Sequence, residues 1–487
     1  MAKAGWTMET CRNLIGGEWV GASDLASFET RNPAHADEVL ATFPSATAAD
    51  AAQAAAAAAE AFPAWAATPA PARGAILFRA AELLAERLNE VARTLTREEG
   101  KTLAEATGEV VRARDILRYF GGEGWRLGGD VLPPNAPHAM LFSRREPLGV
   151  VAAITPWNFP IAIPVWKIAP ALVYGNAVVF KPASAAPLTA LRLVECLVDA
   201  GLPAGVLNLV TGSGAVVGGA LAGDPVVRGL TFTGSHDTGA RIYARATEHF
   251  ARVQLEMGGK NPTIVLDDAD LDLAVRLAVM GGFALTGQSC TATSRVIVEE
   301  GIADRFVAGL AEAANALTVG DGLEDGVQMG PASSEEQLAT DLDYVQIGRS
   351  EGADLLAGGV RAGDGGHFIR PTVFDGVDVR SRLAQEEIFG PVISIIRARD
   401  LDDAILKANA VGYGLAASVV TNDLRRAMTF VDRIEAGVVK VNEPTTGLAL
   451  QAPFGGFKQS SANTFKEQGP AALDFYTRTK TVYVTYG

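Results

Sequence analysis

The chain has 487 residues, which is too long for a single hydrophobic core and indicates two or three domains. Its 48% hydrophobic and 20% charged residues are typical of an ordinary globular protein. The formal net charge of −14 argues against nucleic acid as a partner, because binding to phosphates along a strand needs a basic surface. A local basic pocket for an anionic cofactor stays compatible with this charge.

The three cysteines, Cys11, Cys196 and Cys290, are odd in number and far apart. This pattern argues against a disulfide framework or a structural metal site and favours a reducing compartment. The first residues lack the apolar core of a signal peptide, and prolines and polar residues interrupt the most apolar region, 150–182. We therefore expect a cytoplasmic protein that binds neither a metal nor a membrane.

The predicted elements begin with a largely helical region from Thr47 to about Arg118. A strand-like segment follows at 140–146, and another strand is predicted at the carboxyl end, at 479–484. Because a lone strand exposes unpaired backbone groups, the terminal strand needs a partner. That partner is either the segment near 140 or another subunit.

Apolar strands alternate with helices from residue 149 onward. Strands are predicted at 150–154, 177–182, 206–210 and 229–232, and a second alternating run begins after Glu256. This alternation predicts an α/β fold in which parallel sheets are covered by helices on both faces. Nucleotide sites in such sheets lie at the carboxyl ends of the strands.

The segment 287–295 places the thiol of Cys290 among small and hydroxylated residues, just before the predicted strand 295–298. A cysteine between a helix or loop end and a strand is accessible to a small molecule. The alternative is a buried cysteine that packs as a small hydrophobic residue. The local sequence does not decide between them.

Two further polar residues follow predicted strands. Glu256 stands at a strand end before two glycines, which suit close backbone approach, although an exposed charge is the ordinary alternative. Asn158 lies in a rigid proline-flanked turn, where its amide can stabilise an oxyanion or can cap the helix that follows.

Weaker signals occur at three other strand ends. Residues 232–235 precede a helix predicted to begin near Thr238, and their hydroxyl and N–H groups suit either a phosphate or simple capping. Lys181 ends a strand, where it can reach solvent or bind an anion. The glycines that begin at Gly212 match a dinucleotide fingerprint poorly.

Together these segments resemble one family, and the likeness covers almost the whole chain. The chain is identified as similar to the NAD(P)-dependent aldehyde dehydrogenases. Six motifs occur in that family's order: Pro-Trp-Asn-Phe-Pro at 156–160, Phe-Thr-Gly-Ser at 232–235, Leu-Glu-Met-Gly-Gly-Lys-Asn-Pro at 255–262, Gly-Gln-Ser-Cys at 287–290, Glu-Glu-Ile-Phe-Gly-Pro-Val at 386–392 and Pro-Phe-Gly-Gly-Phe-Lys at 453–458. Six ordered motifs make a specific signal.

The resemblance implies an α/β architecture with a Rossmann-like cofactor domain, an α/β catalytic domain and a small β oligomerisation domain. The implied ranges are 1–119 and 148–256 for NAD(P) binding, 257–446 for catalysis, 120–147 and 470–487 for oligomerisation, and 447–469 for a loop returning past the active site. Because the small domain adds strands to a neighbour's sheet in this family, we expect a homodimer or homotetramer.

The resemblance also implies catalytic roles. Cys290 would be the nucleophile that forms a thiohemiacetal and then a thioester, with the oxyanion held by the Asn158 amide and the Cys290 N–H. Glu256 would activate the hydrolytic water, and Lys167 matches a buried lysine tied to proton release.

Cofactor contacts are implied for residues on both sides of Cys290. They are Ile154, Thr155, Pro156, Trp157, Lys181, Ser184, Gly212, Thr233, Gly234, Ser235, Leu255, Gly258, Glu387 and Phe389. Ser184 departs from many NAD-preferring members, which carry a glutamate there. A carboxylate would repel a 2′-phosphate, so we expect NADP to be accepted well and favoured over NAD.

The resemblance also implies that the substrate is a small aldehyde. Its channel is expected to be lined by Phe159, Ile163, Trp166, Ser289, Thr291, Leu448 and Phe454. The segments 288–295 and 442–447 resemble the α-ketoglutaric semialdehyde (2,5-dioxovalerate) dehydrogenase branch, but no cation for a substrate carboxylate is assigned. A broad-specificity aliphatic or aromatic aldehyde dehydrogenase is the alternative. A CoA-acylating dehydrogenase, a thiol hydrolase and a non-catalytic scaffold fit less well, because Glu256 and Cys290 are both retained and none of the five histidines is part of a motif.

Overall fold

A computed structural model describes residues 8–363 and 365–486. The segment 1–6, for which we expect no signal peptide, lies outside the described residues. No helix within the described ranges has both the length and the hydropathy needed to cross a membrane.

The strands are, in chain order, β1 Glu9–Thr10, β2 Asn13–Ile15, β3 Glu18–Val20, β4 Ser27–Asn32, β5 His35–Pro44, β6 Val131–Leu132, β7 Ala139–Pro147, β8 Val150–Ile154, β9 Ala177–Lys181, β10 Leu207–Leu209, β11 Val227–Gly234, β12 Arg252–Met257, β13 Asn261–Val265, β14 Thr293–Glu299, β15 Asp354–Ala357, β16 Thr372–Asp375, β17 Val392–Ala398, β18 Tyr413–Gly414, β19 Ala416–Val420, β20 Val438–Val441, β21 Phe457–Lys458 and β22 Thr477–Thr485.

The α-helices are α1 Ala48–Ala67, α2 Ala70–Glu86, α3 Leu88–Glu99, α4 Leu103–Glu123, α5 Ala162–Val173, α6 Pro187–Asp199, α7 Gly219–Gly223, α8 His236–Thr247, α9 Leu271–Phe283, α10 Glu300–Ala316, α11 Glu335–Ser350, α12 Arg382–Gln385, α13 Leu401–Asn409, α14 Leu424–Arg433 and α15 Ala472–Tyr476.

The first large sheet has the order β12-β11-β8-β9-β10-β2-β3, and its strands from β12 to β10 are parallel. Side chains along β8 alternate between two apolar clusters. Val150 and Ile154 pack in the cluster that contains alanines of α1, whereas Val151 packs in the cluster that contains α5. Both faces are therefore covered, as the continuous apolar strands predict.

The second large sheet has the order β15-β16-β17-β14-β13-β19-β20 and is parallel except for β15. Apolar side chains of α9 and α10 cover one face, and those of α11 to α14 cover the other. In this sheet Asn261 of β13 pairs with Thr293 of β14, which places the start of β14 beside the Gly258–Gly259 turn.

The carboxyl-terminal strand β22 pairs antiparallel with β7, from Thr477 opposite Pro147 to Thr485 opposite Ala139. The structure thus selects the segment near 140 as the partner that the sequence left open. The third strand of this small sheet is β6, which pairs with the other side of β7.

The helix α4 packs against α5 and extends towards the loop that follows β8. It begins with a capping box: Glu105 N donates to Thr102 Oγ1 at 3.3 Å, and Thr102 N donates to the Glu105 carboxylate at 2.9 Å. One local prediction is wrong in its bounds. The helix after Ser235 begins at His236 rather than near Thr238.

Candidate active site

Cys290 lies where two cavities meet. The first has a volume of about 290 Å³ and the second about 220 Å³, and Cys290 lines both. The first is lined by Glu105, Gly108, Glu109, Arg112, Phe159, Ala162, Trp166, Ala284, Leu285, Ser289, Cys290, Thr291, Thr446, Gly447 and Leu448. The second is lined by Pro156, Trp157, Asn158, Ile163, Thr233, Gly234, Ser235, Met257, Gly258, Cys290, Gln337, Glu387 and Phe389. The thiol is therefore accessible from two sides, and the packing-only alternative is wrong.

The loop that carries Cys290 is held in an unusual backbone conformation. A 3₁₀ turn follows α9, and Leu285 and Thr286 in it have φ of 55° and 56°. At Gly287 an added Cβ would lie 2.3 Å from the Gly390 carbonyl oxygen, so a side chain is excluded. Asn261 Nδ2 then donates to the carbonyl of Cys290 at 2.9 Å. Strained residues held by such contacts are typical of functional loops.

Asn158 is oriented towards the same loop. Its side chain is buried, and its Nδ2 donates to the Gln288 carbonyl at 2.9 Å. The first cap position of α5 is Ile161, which makes no side-chain capping bond. The capping alternative for Asn158 is therefore wrong.

A buried lysine anchors the backbone of Asn158. Lys101 Nζ donates to the Asn158 carbonyl at 2.7 Å and to Glu109 at 2.6 Å, and it lies 4.5 Å from the centre of the Phe159 ring. Burial by itself lowers the pKa of Lys101, but Glu109 and Glu99 outweigh it and the net pKa is raised. Lys101 is thus held as a cation.

Burial raises the pKa of the Cys290 thiol to about 12, with smaller contributions from the carboxylates of Glu387, Glu256 and Glu467. Without a bound ligand, the surroundings of Cys290 therefore favour the protonated thiol. Formation of the reactive thiolate requires a base or a positive charge brought in by a ligand.

Glu256 is buried at the end of β12, so the exposed-charge alternative is wrong. Its Oε2 accepts from Gly456 N at 3.2 Å, and its Oε1 has no hydrogen-bond partner among the described residues. Burial, followed by the nearby Glu467, raises the pKa of Glu256 well above its ordinary value, against the opposing charges of Lys466 and Lys167. A buried carboxylate with a raised pKa is the electrostatic setting of a general base.

Lys167 lies near the two buried carboxylates of Glu256 and Glu467. It is fully buried, its Nζ donates to Thr231 Oγ1 at 2.8 Å, and it forms a close ion pair with Glu467. Neither Glu467 nor Lys466 was predicted as a site residue. Lys466 Nζ donates to the carbonyls of Gly455 and Gly456 at 2.7 and 2.9 Å, which holds the turn that contacts Glu256.

The second cavity presents a carboxylate, aromatic rings and a helix terminus. Glu387 Oε1 accepts from Gly259 N at 2.9 Å, and burial raises the pKa of Glu387 to about 7. The rings of Trp157 and Phe389 meet edge to face at 5.6 Å. Ser235 precedes α8 without a side-chain capping bond, which leaves the first N–H groups of that helix available to a phosphate.

Several predicted cofactor residues lie outside this lining. Ile154, Thr155 and Leu255 are buried at strand ends. Lys181 Nζ donates to the Pro182 carbonyl at 2.9 Å, and Ser184 Oγ donates to the Gly212 carbonyl at 2.7 Å, which joins the segment after β9 to the turn at Gly212.

Two predicted substrate residues also lie elsewhere. Ile163 lines the second cavity instead of the first. Phe454 is absent from the lining of either cavity, and its ring lies behind Trp166, with the ring centres 6.0 Å apart. Conversely, Glu105, Glu109 and Arg112 line the first cavity and were not predicted. Their spacing along α4 places them on one helical face, but charged residues at this spacing usually indicate a face exposed to solvent, so the sequence alone does not identify them.

Comparison with known proteins decides the family. The aldehyde dehydrogenase family model matches residues 19–482. The chain belongs to the aldehyde dehydrogenase family. It is 48% identical to the α-ketoglutaric semialdehyde dehydrogenase of Bacillus subtilis over 479 residues, which cover 98% of each chain. It is 50% identical to the α-ketoglutarate semialdehyde dehydrogenase of Haloferax volcanii, over 98% of this chain and 99% of the relative.

Solved structures agree with this assignment. An NAD-dependent aldehyde dehydrogenase from Sinorhizobium meliloti superposes with a TM-score of 0.95 and 37% identity, over 98% of this chain and 95% of that one. The predicted aldehyde dehydrogenase fold is thus confirmed, and the enzyme is an NAD(P)-dependent oxidoreductase of small aldehydes.

The second cavity fits the nicotinamide part of such a cofactor. An added Cβ on Gly258 would lie 2.0 Å from Glu387 Oε2, so only glycine allows this carboxylate to face the cavity where sugar hydroxyls would bind. The N-terminus of α8 suits the pyrophosphate. Because the cavity extends to Cys290, a nicotinamide bound there would adjoin the thiol.

Proposed function

We propose that this aldehyde dehydrogenase oxidises a short semialdehyde that carries a carboxylate at its far end, α-ketoglutaric semialdehyde, to the dicarboxylic acid. The observation that carries the reaction is the position of Cys290 on the lining of both cavities. The names of the two relatives above support the substrate, and a volume of about 290 Å³ suits a small molecule.

In the first half-reaction the Cys290 thiolate adds to the aldehyde carbon and forms a thiohemiacetal. The new oxyanion accepts hydrogen bonds from the Asn158 amide and the Cys290 N–H. When bound, NAD(P)⁺ supplies the hydride acceptor that leaves a thioester on Cys290. The bond of Asn158 to the Gln288 carbonyl supports this role, because it holds the amide at the nucleophile's loop.

In the second half-reaction Glu256 takes a proton from the water that attacks the thioester, and the acid and the thiol are released. Glu256 lines neither cavity, so its side chain must rotate towards Cys290 for this step. In its buried position the Glu256 carboxylate lies near the Lys167–Glu467 ion pair. In this proposal that pair accepts the proton from Glu256 and passes it on. Overall, one aldehyde, one water and NAD(P)⁺ yield the carboxylate, NAD(P)H and two protons.

An aldehyde panel tests this function through the appearance of the reduced cofactor. We expect the highest kcat/KM for semialdehydes with a distal carboxylate. Cys290→Ala should abolish turnover, whereas Glu256→Gln should give one equivalent of reduced cofactor followed by slow release of acid. A broad preference for uncharged aliphatic or aromatic aldehydes would contradict the substrate proposal and favour the broad-specificity alternative, which the apolar side chains of Phe159, Trp166 and Leu448 support.

NADP is the favoured cofactor in this proposal, because Ser184 places no negative charge where a glutamate would repel a 2′-phosphate. The hydroxyl of Ser184 is directed to the Gly212 carbonyl. Ser184→Glu should lower kcat/KM with NADP by about tenfold or more and spare NAD, whereas Ser184→Ala should keep the wild-type ratio. A wild-type enzyme with a large NAD preference would refute this part.

The enzyme acts in the cytosol as a homodimer or homotetramer in this proposal. Large apolar side chains are exposed on the small sheet of β22, β7 and β6 and just beyond it: Val131, Leu132, Met140, Tyr483 and Tyr486. Such a patch at the edges of a sheet suits pairing with another subunit. The described cysteines are free thiols, which fits a reducing compartment. Gel filtration that gives only a monomer at micromolar concentration would contradict the assembly.

A further inference from the structure

We infer that Arg112 binds the distal carboxylate of the substrate and is the residue that selects semialdehydes over uncharged aldehydes. The inference rests on the proposed function, because it requires a substrate with a second acidic group. It identifies the cation for which the sequence offered no candidate. Arg112 lies on α4 and lines the first cavity together with Cys290.

The guanidinium of Arg112 is held by neutral groups. One terminal nitrogen donates to the Leu448 carbonyl, and the other donates to Gln468 Oε1 at 3.0 Å. The guanidinium carbon also lies 5.9 Å from the centre of the Trp166 ring. These contacts fix its direction and use two of the five N–H donors of an arginine.

Arg112 has no acidic partner within ion-pair distance in residues 8–363 and 365–486. The arginine is only partly exposed, and burial lowers its pKa against the weaker opposing charge of Glu109. Charges that are removed from water are normally paired. A half-buried arginine that faces a cavity and forms no ion pair among the described residues therefore points to an anionic ligand in that cavity.

Two acids on the same helical face do not fill this role. Glu109 accepts from Lys101 Nζ at 2.6 Å and from the N–H groups of Ile161 and Ala162 at 3.1 Å. Glu105 accepts from Leu285 N at 2.7 Å and caps the start of α4. Both carboxylates are thus bound to other donors.

The arrangement also explains how the substrate is oriented. The aldehyde carbon must reach the Cys290 sulfur, and Arg112 lies on the lining of the same cavity. A substrate with groups at both ends is held at two points, whereas an uncharged aldehyde is held only by apolar contacts with Phe159 and Trp166. Charge-assisted hydrogen bonds of this kind change kcat/KM by a factor of about 10 to 100.

The test compares Arg112→Met with the matched variant Arg114→Met. Arg114 lies two residues further along the same helix, pairs with Asp115 and lines neither cavity. Kinetics are measured with α-ketoglutaric semialdehyde and with pentanal, an uncharged aldehyde of the same chain length. In Arg112→Met we expect kcat/KM for the semialdehyde to fall by about 10- to 100-fold, mainly through KM, and pentanal oxidation to be retained. Equal losses for both aldehydes would overturn the inference.

Competitive inhibition by glutarate supplies a readout that does not depend on which aldehyde the wild type prefers. We expect glutarate inhibition to weaken in Arg112→Met, to persist in part in Arg112→Lys and to stay unchanged in Arg114→Met. A wild type that prefers pentanal refutes the proposed substrate by itself. Glutarate inhibition that is absent from the wild type or unchanged in Arg112→Met refutes the role of Arg112.

Discussion

Asn158 donates a hydrogen bond from its side-chain amide to the carbonyl of Gln288, two residues before Cys290, over 2.9 Å. This bond joins the turn after β8 in the first large sheet to the loop before β14 in the second. The proposed oxyanion donor and the proposed nucleophile therefore follow strands of different sheets, and this bond links them.

The first prediction concerns this amide. Asn158→Ala should lower kcat by a factor of about 10² to 10³, because one preorganised oxyanion donor is lost. Steady-state kinetics with the preferred semialdehyde would measure it. Cofactor affinity should stay near the wild-type value, and a variant that changed only KM would contradict a role in the transition state.

The second prediction concerns the thiol. Burial raises the pKa of Cys290 to about 12, with smaller contributions from the carboxylates of Glu387, Glu256 and Glu467. Alkylation of the cofactor-free enzyme should therefore be slow at neutral pH and accelerate as the pH rises. Glu387→Gln removes one of these negative charges, so it should lower the pKa and speed alkylation at a given pH. The rate of iodoacetamide labelling, followed in a background where Cys11 and Cys196 are alanine, reports it. A rate that is flat between about pH 6 and 9 would be inconsistent with a raised pKa.

The third prediction concerns the acid limb of the pH profile. Glu256 accepts a proton only when ionised, so thioester hydrolysis should increase as the pH rises through its raised pKa. Lys466→Met removes a positive charge that lowers this pKa, and the limb should move to higher pH. The pH dependence of kcat measures the shift. Lys480→Met, on the distant small sheet, is the matched control, and a limb that stayed in place or moved to lower pH in Lys466→Met would disprove the coupling.

The fourth prediction concerns Gly258. An alanine there would place a Cβ within 2.3 Å of all three carboxyl atoms of Glu387, so the carboxylate must leave its position. We expect the affinity for NAD(P)⁺ to fall by about tenfold or more, measured by equilibrium titration. Gly21→Ala, at a position with open space around it, should leave the affinity unchanged. Normal cofactor binding by Gly258→Ala would show that Glu387 does not contact the sugar.

Local patterns in the chain accounted for much of the fold. The apolar strand predicted at 150–154 agrees with β8, and the helical region predicted from Thr47 to about Arg118 agrees with α1 to α4. Both depend on apolar patterns among residues within a few positions of one another. The start of α8 was misplaced by two residues: Ser235 is its N-cap, a position that serine favours, although the Ser235 hydroxyl makes no capping bond.

Only part of the candidate site could be predicted from the sequence. Cys290, Glu256 and Asn158 were identified through ordered motifs, but Arg112 and Glu467 lie outside those motifs. In the sequence Arg112 resembles an ordinary surface residue. Its proposed role depends on the cavity that it lines together with Cys290.

The sequence by itself therefore determined the α/β class and the family, and it supplied the candidate catalytic residues, because each depends on short-range patterns. The tertiary structure alone decided that Glu256 is buried beside Lys466, that β22 pairs with β7, and that Arg112 shares a cavity with Cys290. These relationships join segments far apart in the chain, so they arise only in the folded molecule, for example when α4 packs on α5. Burial then changes the pKa and the pairing of each charged group, which no local pattern encodes.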